Sequence, residues 1–184
     1  MITSHTLNAR RKQSGITLIE VSIGLIIAAI VAAAAFIAFQ NNARRTEVQD
    51  NIKQITEVIS ETKQKVGING GADGYSGLTA EASPALLVSL GVLQSADQPN
   101  SYGQPITIVG TNADTAVLSW DGVEGDQCLD IVLSVGEGAA AIANGAVGTW
   151  DLATNGPMSL ANASTVCGGD ADAVANLDIT FGRR

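Results

Sequence analysis

The chain reads as an α+β protein: a long N-terminal helix whose apolar first half projects and whose second half packs against an antiparallel β-sheet domain. Three observations predict this. Ile16 to Phe39 is a run of 24 residues with one ionisable side chain, Glu20. Asn41 to Val66 contains neither Gly nor Pro and places its apolar residues on one helical face. From Gly67 onward Gly, Ala, Asn, Asp and Thr dominate, divided into short strand-like and helix-like stretches. The expected organisation is a leader over 1–15, a membrane-spanning helix over 16–40, an amphipathic helix over 41–66 and a single globular domain over 67–184.

As a helix rising ~1.5 Å per residue, the 24-residue run covers a bilayer core of ~30 Å. Arg10, Arg11 and Lys12 precede it and an acid-dominated chain follows. Short basic flanks stay inside, so the N-terminus is expected in the cytoplasm and the body outside. Glu20 is the anomaly, because a carboxylate in a span costs roughly 2.5–3.5 kcal/mol at the bilayer centre. Val21 to Phe39 still leaves 19 uncharged residues, so in a lone subunit Glu20 escapes to the cytoplasmic interface. A protein bundle removes that escape. A cut between Gly15 and Ile16 would create an ammonium four residues before Glu20, roughly 6 Å along the axis. A neighbour shifted by that distance would set its own amine against the carboxylate. An ordinary secretory signal fits poorly, since it does not carry a charge in its apolar core and Phe36 to Phe39 continues past Ala32 to Ala35. A plain membrane anchor gives Glu20 no purpose.

The second helical stretch has its stripe at Val48, Ile52, Ile55, Ile59, Thr62 and Val66, spaced four or three apart. One helix from Ile16 to about Val66 follows, 51 residues and roughly 75 Å long, more than a small domain buries. Gly24, Ala28, Ala32 and Ala35 recur at helical spacing, which suits close helix approach and equally suits plain alanine-rich helix propensity.

In the domain, Gly67 to Gly77 reads as a loop. Ser83-Pro84 through Leu90 and Gly91 reads as a short helix with Ser83 as cap, Pro in the first turn and a glycine stop. Ile106 to Val109 and Thr115 to Trp120 read as strands around the turn Gly110 to Asp114. Gln127 to Val135 fits helix or strand, and helix is preferred because Cys128, Ile131, Val132 and Val135 share a face. Ala139 to Ala143 and Asn176 to Phe181 are further strands, and Asn155-Gly156-Pro157 starts a helix ending near Cys167-Gly168. Cys128 and Cys167 lie on the oxidising side of the membrane and are expected to pair. Free-thiol catalysis lacks a partner, since no His follows His5.

Charge excludes more than it assigns. Between Val66 and Gly182 there are 13 Asp or Glu and no Lys, Arg or His. Loss of residues 1–15 removes Arg10, Arg11 and Lys12 and moves the formal charge from −8 to −11. Such a surface repels phosphate backbones, so direct nucleic-acid binding is not expected. It leaves no base or cation for triads, zinc sites or phosphate clamps, so no catalytic residue, cofactor or metal is assigned. Asp121, Glu124 and Asp126, or Asp170 and Asp172, would be the Ca²⁺ candidates, but a solvated acidic surface accounts for them better. Tyr75, Tyr102, Trp120 and Trp150 suggest core packing before a sugar-binding platform.

The basic leader, Gly15, apolar Ile16 and Glu20 opening a long apolar helix resemble the processing site of type IV prepilins. In that family a prepilin peptidase cuts after the glycine and methylates the new N-terminus, and the glutamate is needed for assembly. The resemblance therefore implies cleavage at Gly15–Ile16, N-methylation of Ile16 and an assembly role for Glu20. Ser89-Leu90-Gly91, the Cys128 segment behind Ser119-Trp120-Asp121-Gly122, and Val166-Cys167-Gly168 further resemble class b pilins, such as toxin-coregulated and conjugative pilins. There the disulfide bounds a variable surface region, here 128–167. The resemblance implies a precursor in the bacterial inner membrane with its N-terminus in the cytoplasm. A pilus assembly platform then builds it into an extracellular homopolymer through the N-terminal helix, for adhesion, aggregation or conjugation. The alternative is a minor pilin or a type II secretion pseudopilin.

Overall fold

The computed structural model describes residues 17–183, and the chain divides into two compact units between Ala43 and Arg44. One α-helix, α1, runs from Leu18 to Thr62 and contributes to both. Its residues 18–43 lack Pro and carry their large side chains in the open. Leu18 is 88% exposed, and Ile26, Ile30, Phe36 and Phe39 are each more than half exposed.

In the second unit α1 is a different kind of helix. Ile55 and Thr62 are fully buried, Val58, Ile59 and Val66 nearly so, and Val48 and Ile52 pack at the margin of the core. The predicted stripe is present, with Asn51 and Val58 added to it. Asn51 is buried because both ends of its amide are used: Nδ2 donates to the Glu47 carbonyl at 2.9 Å and Oδ1 accepts the Trp120 indole N–H at 3.1 Å. Regular helix was expected to about Val66, but α1 ends at Thr62 and Lys63–Ile68 continues as a π-helix. The wider turn carries Val66 and Gly67 inward together. Only glycine fits at 67, where a Cβ would lie 2.3 Å from the Tyr75 hydroxyl.

The sheet has five strands in the order β1-β2-β5-β3-β4: β1 Thr107–Gly110, β2 Thr115–Glu124, β3 Ala141–Asn144, β4 Gly148–Asp151 and β5 Val174–Gly182. Every pairing is antiparallel, and the last strand in sequence lies at the centre. Period-two alternation turns Ala116, Leu118 and Trp120 of β2 and Leu177, Ile179 and Phe181 of β5 into the core. Leu118 faces Ile179 and Trp120 faces Leu177. The predicted β1–β2 hairpin is present, but β2 runs on to Glu124 through a bulge between Trp120 and Val123, where Gly122 takes φ 83°.

Several boundaries differ from expectation for local reasons. Helix α2, Ser83–Ser89, has no side-chain cap, because the Ser83 hydroxyl instead donates to the Ile108 carbonyl and ties the helix to β1. The 67–77 segment is not simply loop: a 3₁₀ turn at Gly74–Gly77 buries Tyr75 edge-on against Phe181, ring centroids 5.6 Å apart. Helix α3, Gly125–Gly136, forms where helix was preferred, with its predicted face buried. Strand β3 starts at Ala141 instead of Ala139, and β4 was not foreseen. The helix expected to start at Asn155-Gly156-Pro157 does not. A short α4, Leu152–Asn155, ends there, Gly156 reverses the chain at φ 69°, and α5, Leu160–Cys167, starts under the Ser159 hydroxyl. Cys128 of α3 and Cys167 of α5 form the disulfide, Cα atoms 5.9 Å apart.

Candidate functional site

Gly15 and Ile16, the predicted cleavage and methylation positions, lie outside the described residues. The described chain opens at Thr17, and there Glu20 is engaged locally. The Glu20 amide donates to the Thr17 hydroxyl at 3.4 Å, while Glu20 Oε2 accepts from the Thr17 amide at 3.4 Å and its hydroxyl at 3.3 Å. This reciprocal pair is a capping box, which satisfies two donors that a helix start otherwise leaves open. Sequence reasoning gave Glu20 a role between subunits only and passed over Thr17. The signal was present, since Thr-Leu-Ile-Glu ahead of an apolar run is the S/T-x-x-E pattern. After Glu20 no charge appears before Arg44, and the best window of this stretch has a mean hydropathy of 2.7 with none of it buried. A surface this apolar on all sides requires cover from lipid or protein.

Where α1 meets α3 in the second unit lies a polar seam. Arg44 pairs with Asp126. The buried Gln127 amide donates to both Glu47 Oε2 and Glu124 Oε2 at 3.2 Å, and its oxygen accepts the Tyr102 hydroxyl at 2.6 Å. Burial first, then the carboxylates of Glu47, Glu124 and Asp126, hold the Tyr102 hydroxyl well above the ordinary tyrosine range, so it stays a donor. Four segments of chain are thus locked together by one glutamine, which no periodicity singled out.

The remaining candidates have structural places. Glu124 and Asp126 are committed to the seam, and Asp170 accepts the Asp172 amide at 3.0 Å in a turn. Burial, then neighbouring Asp178, raises the Asp121 carboxyl above its usual value, and burial lowers Lys63. Among the described residues no group of three His, Cys, Asp or Glu side chains is placed to hold a metal ion. Tyr75, Trp120 and Trp150 are fully buried and Tyr102 packs against the core, so they form no platform. Both cysteines are in the disulfide, leaving no free thiol.

Residues 10–36 match the prokaryotic N-terminal methylation motif family. No curated protein matches the chain by sequence. Among solved structures, the type IV pilin TcpA of Vibrio cholerae El Tor superposes with a TM-score of 0.54 at 16% identity, over 73% of this chain and 98% of that one. At that identity the likeness is one of fold: a long N-terminal helix packed on an antiparallel sheet, the type IV pilin fold.

Proposed function

We propose that this chain is the structural subunit of a type IV pilus, nearest the class b and conjugative types. It enters the bacterial inner membrane with its N-terminus in the cytoplasm, is cut between Gly15 and Ile16 by a prepilin peptidase and methylated on Ile16. The assembly platform then adds it to an extracellular homopolymer. The observation that carries this reading is the opening of α1: Leu, Ile, Val and Phe exposed on all sides over residues 18–39, with Glu20 the one charge. Such a helix suits lipid first and a bundle of identical helices afterwards. The methylation motif at 10–36 and the pilin fold support the same reading. The role is structural and not catalytic, and the acidic domain is not expected to bind nucleic acid.

Shearing cells, imaging the released material and measuring the intact mass of its main protein tests this. The expected mass begins at a methylated Ile16, and Gly15→Ala accumulates uncut precursor in the membrane. A surface protein that retains residues 1–15, or begins at Phe36, overturns the processing. Correctly cut protein that stays in the envelope replaces the major subunit by a minor pilin or secretion pseudopilin.

A further inference from the structure

All five strands turn their buried residues to one face of the sheet, and α1 and α5 hold that face, through Asn51 at Trp120 and Val166 at Asn144. The other face is left open. Val117, Ser119 and Asp121 of β2, Asp178 of β5, and Ala141 and Ala143 of β3 are each half-buried or exposed there. Ser119 lies opposite Asp178 and Asp178 opposite Ala143, so the patch is continuous across three strands, and its short side chains keep it flat. The Ser119 hydroxyl donates to Asp178 Oδ1 at 2.7 Å, and Asp121 stands two residues further along β2 on the same face. Burial, then Asp178, raises the Asp121 carboxyl above its usual value, so the two acids crowd each other. No Lys, Arg or His occurs between Val66 and Gly182 to neutralise them.

Among the described residues of the second unit the cations lie within 44–65 and at Arg183. Most are already engaged. Arg44 is paired with Asp126, Lys65 with Glu61 and Arg183 with Asp114, and Lys63 donates to the Gly138 carbonyl. Lys53 has Asp50 three residues before it and Glu57 four residues after it, both in reach on its own helix. Arg45 differs. It is exposed, the helix positions three and four away hold Asn41, Asn42, Val48 and Gln49, and among the described residues no ion pair or hydrogen bond engages it.

We propose that the open sheet face of one copy receives the exposed side of α1 of a second copy, with the Arg45 guanidinium set between Asp121 and Asp178. The inference rests on the subunit reading above and names two partner surfaces within it. The forked N–H donors of a guanidinium serve two carboxylates at once, and such charge-assisted bonds strengthen as water leaves. Charge selects the pairing: any face of a second copy drawn from residues 67–182 brings only carboxylates as charged groups to these two acids, whereas the α1 face brings a cation that has no partner of its own.

The test compares sheared filaments from cells carrying Arg45→Asp, Asp178→Arg, or the two variant chains together, each chain first shown to be cut and to melt as wild type does. Either variant alone should lower filament yield roughly tenfold or more, the factor that loss of one charge pair carries. Together they should restore it, because in an alternating polymer every altered charge meets its opposite on a neighbour. Normal yield from both single variants overturns the contact and leaves the filament standing. Loss in both with no restoration on co-expression also overturns it, and assigns Arg45 to another partner such as a lipid phosphate. Should Asp178→Arg melt early, wild-type protein decides. Phenylglyoxal modification of Arg45, followed by mass spectrometry with Arg183 as reference, should be roughly tenfold slower in filaments than in membrane-held subunits, and an equal rate overturns the contact. Wild-type cells that release no filaments refute the subunit reading itself, and this contact with it, before any variant is made.

Discussion

The two parts of α1 are built from similar helix formers and end in opposite circumstances. Residues 18–43 carry one charge, Glu20, and their large apolar side chains are exposed; residues 44–62 carry charges throughout and bury Asn51, Ile55, Val58, Ile59 and Thr62. Local propensity does not separate them, since both are continuous helix. What separates them is who supplies the cover. A striped helix brings a wet face and a dry face and is completed by its own domain. A helix apolar on every side is completed by lipid or by other chains. Loss of a side chain should therefore be felt as lost stability in one part and lost assembly in the other.

The largest stability effect is expected at the disulfide, which pins α3, the partner of residues 44–62, to α5. Cys128→Ser opens a loop of 39 residues and should cost about 4 kcal/mol in the chain-entropy model. Thermal unfolding of the detergent-solubilised subunit, with limited proteolysis of α5, measures it. Unchanged melting and protease resistance would mean that the core alone holds the C-terminal third.

Next comes a pair of identical substitutions in one helix. Ile55→Ala empties a fully buried position and should destabilise by roughly 2–5 kcal/mol. Ile27→Ala removes a side chain 56% exposed and should change domain stability by less than about 0.5 kcal/mol. Urea midpoints for the two variants give the comparison directly. Equal losses would mean that residues 18–43 contribute to the fold of the domain.

Asn51→Ala should cost about 1–3 kcal/mol, because the Trp120 N–H is left buried without its acceptor. Trp120 fluorescence during denaturation reports it, and a neutral result would mean that water replaces the amide. Asn51 also marks the limit of what the sequence makes legible. The apolar span, the 48–66 stripe, the β1–β2 hairpin, α3 and the cysteine pair all follow from hydrophobic period or compartment. Asn51, Gln127 and the Ser83 hydroxyl do not, because polar side chains enter this core only through partners far away in sequence, such as Trp120, Tyr102 and Ile108. Strand β4 was hidden for a related reason: of its four residues only Trp150 is buried, so it shows no alternation. At the α1 start the Thr17–Glu20 spacing itself carries the capping signal, which the lone charge in an apolar run overshadows.

That pattern makes Glu20 the finest test, with the smallest expected effect on the domain. The carboxylate caps α1 through Thr17, and the proposed filament would give it a second role, meeting the Ile16 amine of a neighbour and setting the axial register. Among Val, Ile, Leu and Ala an unpaired carboxylate would cost several kcal/mol or take up a proton, so the second role depends on charge. The first does not, because a glutamine at the same place completes a capping box equally well. Glu20→Gln thus removes the charge and keeps the cap, whereas Thr17→Ala removes the hydroxyl half of the cap and keeps the charge. Both variants should be inserted, cut and folded with the disulfide formed and melting unchanged, since neither residue lies in the domain. Thr17→Ala should still assemble, and Glu20→Gln should be absent from filaments or enter them only beside wild type. Electron microscopy of sheared material from each strain reads the outcome. Normal filaments from the glutamine variant alone would show the charge pair to be dispensable, and loss of filaments in Thr17→Ala alone would transfer the role of Glu20 from register to capping.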